Sequence, residues 1–190
     1  MADRDITSER GRSLEDDYFR KKDRELIEKI QKAAAAEQAR IDLGRAVGLQ
    51  DPAMIQELLD LGFTLETVSL LPLMPILQMA WAEGGITPAE RDLIVHFARS
   101  RGIDAGSVAD RQLTSWMAHQ PSDDVFARAS RLIRATLDSG GGAGLNPDDL
   151  VAYCESIAHA SGGVFGIGRI SAEERKLLSN IAAVLKGRTA

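Results

Sequence analysis

Two textures divide the chain by the placing of its apolar residues. Up to about residue 43 they are sparse: Tyr18, Phe19, Leu26, Ile27, Ile30 and Ile41 stand among charged residues and an alanine run. Beyond that point they recur at three- and four-residue intervals between glycine and proline punctuation, the spacing of helices with one buried face. Residues 1 to 13 are polar and mixed in charge, which predicts a disordered tail. Residues 14 to 43 predict a charged helical arm, because Asp16/Arg20, Asp17/Lys21, Arg24/Glu28, Glu25/Lys29 and Glu28/Lys32 all stand four apart, where opposite charges on a helix meet. At most two heptads can be drawn through its apolar residues, too few for a coiled coil. The thin stripe fits either an arm docked on the body or a helix that binds a partner or a second copy.

Residues 44 to 190 predict a helical body. Asp51-Pro52 opens a short helix that Gly62 ends, and Thr64 caps the next. Pro72 and Pro75 should kink or restart that helix before it runs to Glu83. Thr87-Pro88 opens a helix ended by Gly102. Further helices are expected from about Ser107 to His119, from Ser122 to the run S-G-G-G-A-G at 139 to 144, from Asn146-Pro147, and from Ser171 to about Lys186. No window alternates as a strand does, so the fold class is all-α with about seven to eight helices.

One stretch occurs twice. A-E-G-G-I-T-P-A-E-R-D-L-I at 82 to 94 is echoed by A-S-G-G at 160 to 163 and R-I-S-A-E-E-R-K-L-L at 169 to 178. Both follow an apolar helix, both place an apolar residue before a hydroxyl (Ile86-Thr87, Ile170-Ser171), and both continue into Glu90-Arg91 or Glu174-Arg175. The second copy carries the insertion V-F-G-I-G-R at 164 to 169. The body therefore reads as duplicated antiparallel helical hairpins, each burying the apolar face of the other. The hydroxyl-x-x-Glu spacing is that of a capping box, in which the glutamate reaches back to the backbone at the helix start. Capping alone accounts for Glu90 and Glu174; it does not account for Glu83, an acid near the negative end of its own helix.

Composition narrows the chemistry. A net charge of -5 over 190 residues argues against nucleic acid, whose binding needs a concentrated basic surface. The N-terminus lacks the apolar run of a secretory signal, and Val68 to Ala82 is too short to span a bilayer. A lone cysteine, Cys154, fits a reducing cytoplasm. Neither a serine-centred elbow, nor H-E-x-x-H, nor a glycine loop with G-K-[ST] occurs, and the calcium-loop spacing D-x-D-x-D-G is missing, so no enzyme class is indicated. Asp92/His96 and Glu155/His159 stand at a spacing that metal sites use, without a third ligand.

The stretch L-P-L-M-P-I-L-Q-M-A-W-A-E-G-G-I-T-P-A-E-R-D-L-I, together with its echo, resembles the tellurite-resistance TerB family and its wider TerB-like superfamily over roughly residues 65 to 188. The resemblance implies an all-helical fold of two pseudo-symmetric halves in a bacterial cytoplasmic protein linked to metal or envelope stress. It also implies an acidic surface for divalent cations. By position, the metal-binding candidates are Glu83, Glu90 and Glu174. Aspartate is usual where Glu83 stands, and Ser161 replaces the acid in the second half, so a site built symmetrically from both halves has one charged ligand fewer. The expected function is a non-enzymatic, stress-associated protein-interaction module without a cofactor. Its contact residues are Tyr18 and Phe19 on the arm and Val164, Phe165 and Ile167 in the inserted loop. The alternative is a divalent-cation-binding protein.

Overall fold

The structure, a computed structural model, describes residues 3–140, 145–160 and 170–187, with side chains from Tyr18 onward except that of Phe19. Among the described residues it consists of eight α-helices and one 3-10 helix, with no strand. The all-α class expected from the spacing is what is found. The chain divides into two compact units, Met1–Ile41 and Asp42–Ala190.

From Asp3 onward the first unit is part of a single long helix, α1 (Asp3–Val47), whose last turns belong to the second unit. The helix starts at Asp3, not at Leu14, so it includes most of the segment expected to be a disordered tail. No proline precedes Pro52, and nothing in that backbone interrupts the ladder of hydrogen bonds from each amide to the carbonyl four residues back. Along the arm Tyr18, Leu26, Ile27 and Ile30 are each more than half exposed. Arg24 Nε donates to the Arg20 carbonyl at 3.2 Å, and Lys22 Nζ lies 5.7 Å from the Tyr18 ring centroid.

In the second unit the helix starts follow the capping residues. The Asp51 carboxylate accepts from Ala53 N at 2.9 Å at the start of α2 (Pro52–Asp60), whose end is turned by Gly62 at φ +82°. Gly44, in the last turns of α1, is required by close approach: a Cβ there would stand 2.6 Å from Ile55 Cδ1 of α2 and 2.9 Å from the Leu49 carbonyl oxygen.

Thr64 does not cap a helix. Its amide donates to Thr67 Oγ1 at 2.9 Å, and residues Val68–Leu73 wind as a 3-10 helix containing Pro72. The chain then restarts as α3 (Met74–Ala80), with Pro75 in its first turn. Both prolines thus mark the predicted break, since neither can supply the amide an α-helix interior needs. α3 ends at Ala80 rather than running to Glu83. The Ala82 amide reaches back only to the Met79 carbonyl, and the Trp81 indole N–H is held by the Trp116 carbonyl at 3.0 Å.

The remaining helices are α4 (Pro88–Ser100), α5 (Val108–Ala118), α6 (Asp123–Asp138), α7 (Pro147–Ala160) and α8 (Ala172–Leu185). α3 is the hub: Met74, Ile76, Leu77, Met79 and Ala80 are at most 1% exposed. It packs most extensively on α7, and also against α4, α6 and α8. A short helix whose residues are apolar except for Gln78 has to be buried, and each such leucine or methionine contributes roughly 1.5–3 kcal/mol. α7 packs in turn on α8 and α4. Phe63 and Trp116 meet edge to face, 5.8 Å between centroids.

Candidate functional site

Both echoing segments close a capping box. At α4 the Glu90 carboxylate accepts from Thr87 N at 2.7 Å and from Thr87 Oγ1 at 2.8 Å, while Glu90 N donates to Thr87 Oγ1 at 3.3 Å. At α8 the Glu174 carboxylate accepts from Ser171 N at 2.7 Å, and Glu174 N donates to Ser171 Oγ at 3.1 Å. Each of these bonds satisfies a backbone donor that a helix start would otherwise leave open. The same bonds draw the two carboxylates inward, so that Glu90 and Glu174 are both only 2% exposed.

Burial of this kind is costly for an ionised acid. It pushes the Glu90 carboxyl above the ordinary glutamate value of 4.5, against the hydrogen bonds from Thr87, and the charges of Glu174 and Glu83 push the same way. The other two acids named by the resemblance therefore lie within electrostatic reach of Glu90. They are not alike: Glu83 is exposed and stands beyond the end of α3. Among the described residues no group of three or more His, Cys, Asp or Glu side chains is placed to hold a metal ion. One carboxylate oxygen of Glu90 and one of Glu174, Oε2 in both, is turned to the backbone it caps.

Of the contact residues, Tyr18 is exposed on α1, whereas the Phe19 side chain and Val164, Phe165 and Ile167 lie outside the described residues, as does Ser161. His96, His119 and His159 are all exposed. Cys154 is fully buried in α7, and burial pushes its thiol up to about 12, which leaves it an unreactive core residue.

The two arginines that follow the glutamates part company. Arg91 reaches across to the end of α5, donating to the Met117 carbonyl at 3.4 Å, whereas Arg175 donates locally to the Ile170 carbonyl at 2.9 Å. A surface feature that the sequence does not advertise lies between α4 and α7. There a cavity of about 480 Å³ is walled by Phe97 and Tyr153, whose rings are 3.9 Å apart between centroids. Arg101 lies over the Phe97 ring, 5.6 Å from its centroid. Phe97 reads as an ordinary core position of α4, and nothing in the spacing of Tyr153 links it to a helix so distant in the chain. No helix among the described residues is long and apolar enough to cross a membrane. The chain matches no family model, no curated protein and no solved structure.

Proposed function

We propose that the chain is a non-enzymatic, TerB-like helical interaction module, in which α1 is the partner-binding element and the body is its anchor. The observation that carries this reading is the exposure of Tyr18, Leu26, Ile27 and Ile30, between 53% and 59%, on one uninterrupted helix. Apolar side chains that a helix leaves in water are the usual anchors of helix-in-groove and helix–helix contacts. Asp23 and Glu37 stand seven residues either side of Ile30, in line with it along the helix. Two copies paired in parallel and in register would set these acids against each other. That favours a different protein, with an apolar stripe and basic residues opposite the two acids, over self-association through the arm.

The TerB-like assignment and the duplication of the hairpins belong to the same proposal. They are supported by the paired capping boxes and by the reciprocal packing of α3 on α8 and α4 on α7. A stress-associated role in the manner of tellurite resistance follows from the resemblance. Removing residues 1–41 tests the division of labour. The shortened body is expected to keep the thermal midpoint of the full chain and to lose the partner that cross-linking recovers with it. A body that loses stability yet keeps the partner contradicts the reading. The cation-binding alternative has the burial of Glu90 and Glu174 on its side and the lack of a three-ligand group against it. A ligand selective for the folded state must raise the midpoint. The expectation is no rise with millimolar calcium, manganese or zinc, and a rise that Glu90→Gln abolishes would reinstate that alternative.

A further inference from the structure

A second cavity, of about 300 Å³, lies where the end of α1, the 3-10 helix and α6 meet. That volume is at the lower end for small-molecule sites. Its wall is mainly aliphatic: Val47, Val68, Leu71 and Leu145 line it, as does Leu65, which is 57% exposed. Arg101 borders the cavity but is already engaged, lying over the Phe97 ring with a further interaction of its own. No acidic side chain is among the lining residues.

Thr136, also a lining residue, adds an independent observation. It is 1% exposed, and its hydroxyl has no hydrogen-bond partner, alone in this among the buried side-chain oxygens and nitrogens of the described residues. Inside a helix a threonine hydroxyl ordinarily returns to a carbonyl three or four residues back. Thr136 stands within α6, yet that bond is not made. A buried hydroxyl without a partner costs free energy and calls for an explanation. It leaves one donor and acceptor capacity to offer.

We infer that this cavity is a binding site for a small, uncharged aliphatic alcohol. The alkyl chain lies on Val47, Val68 and Leu71, and the ligand hydroxyl meets that of Thr136, donating to it or accepting from it. The surroundings select a neutral head. A cation finds no acid in the wall, and one neutral hydroxyl does not offset the burial of a carboxylate. At about 30 Å³ for each water-sized group, the volume admits roughly ten heavy atoms, and hexan-1-ol fits within it. Every lining residue belongs to the second unit and none is among the exposed apolar residues of the arm. This inference and the interaction reading therefore stand or fall independently.

Titrating the full chain with hexan-1-ol and with 1-chlorohexane, and following the methyl signals of Val47, Val68 and Leu71 by NMR, tests it. Both ligands are expected to shift those signals, and hexanoate and hexylamine to bind more weakly than hexan-1-ol. The ratio of the hexan-1-ol affinity to that of 1-chlorohexane isolates the hydroxyl. Thr136→Val should lower this ratio about threefold to tenfold, the margin of one neutral hydrogen bond, and Thr136→Ser should keep it. Thr136→Val, nearly the same shape as the parent, should also raise the unfolding midpoint of the free protein, because it removes a buried group without a partner. Leu65→Ser, at an exposed position of the wall, should weaken both ligands alike. Hexan-1-ol that leaves the methyl signals unmoved at millimolar concentration would overturn the proposal. So would an affinity ratio unchanged by Thr136→Val, a midpoint that this substitution lowers, or hexanoate that binds more tightly than the alcohol.

Discussion

The start of α4 and the start of α8 use the same residues to different ends. Both have a hydroxyl cap, a glutamate three positions on that returns to the cap's amide, and an arginine after it. At α4 the cap is doubly tied, because Thr87 Oγ1 also donates to the glutamate, and Arg91 fastens the helix to the end of α5. At α8 the cap hydroxyl only accepts, and Arg175 closes on its own loop. The following apolar residues differ in the same sense: Ile94 is fully buried, while its counterpart Leu178 is partly buried. The grammar that starts a helix is local and repeats faithfully. What each start holds in place is decided by neighbours far away in the chain.

Substitutions made in pairs should widen this difference. The largest effect is expected from the apolar positions. Ile94→Ala leaves a cavity beneath α4 and should cost 2–5 kcal/mol, about the usual range for a buried isoleucine. Leu178→Ala should cost about 1 kcal/mol. Urea denaturation of the two variants measures both, and equal losses would remove the contrast. Next come the caps. Thr87→Ala should cost about 1–2 kcal/mol and Ser171→Ala about 0.5–1 kcal/mol, since only the first loses a bond to the carboxylate as well as a cap. Smaller still are the arginines. Arg91→Ala should lower stability by about 0.5–1 kcal/mol, as its bond spans two helices, and Arg175→Ala should lie within about 0.5 kcal/mol of the parent. A larger loss at Arg175 would show that its loop, not α5, is the fastening that counts.

The helix starts were legible because capping is short-range chemistry. Asp51, Thr87, Ser107 and Ser171 accept from backbone amides two or three residues on, within the span a reader of sequence can see. Thr64 misled for the same reason. It has the residue type of a cap, but Thr67 takes its amide, and Pro72 with Pro75 turns the segment into a 3-10 helix followed by a new start. Low apolar content suggests disorder for residues 1 to 13, whereas α1 begins at Asp3, with no proline before Pro52 to interrupt its backbone.

The acids were half legible. Their spacing revealed the capping boxes, whereas the burial of Glu90 and Glu174 depends on packing that spacing does not show. The cavity between α4 and α7 was invisible, because its walls come from segments distant along the chain that no spacing rule connects.

The central claim is that the repeated glutamates are caps whose charge the fold does not need. It is tested most directly by measuring the unfolding free energy of Glu90→Gln against the parent from pH 4 to pH 8. Glutamine can accept the same two bonds from Thr87, and the capping box tolerates it. Because the folded carboxyl titrates above its ordinary value, the protonated form favours the fold. That contribution is complete below the unfolded value of 4.5 and is lost as the pH rises through the folded one. The account predicts that Glu90→Gln matches the parent at low pH and equals or exceeds its stability at pH 7. A variant that is markedly less stable than the parent at pH 7, and converges with it only on acidification, would show that the negative charge itself is required.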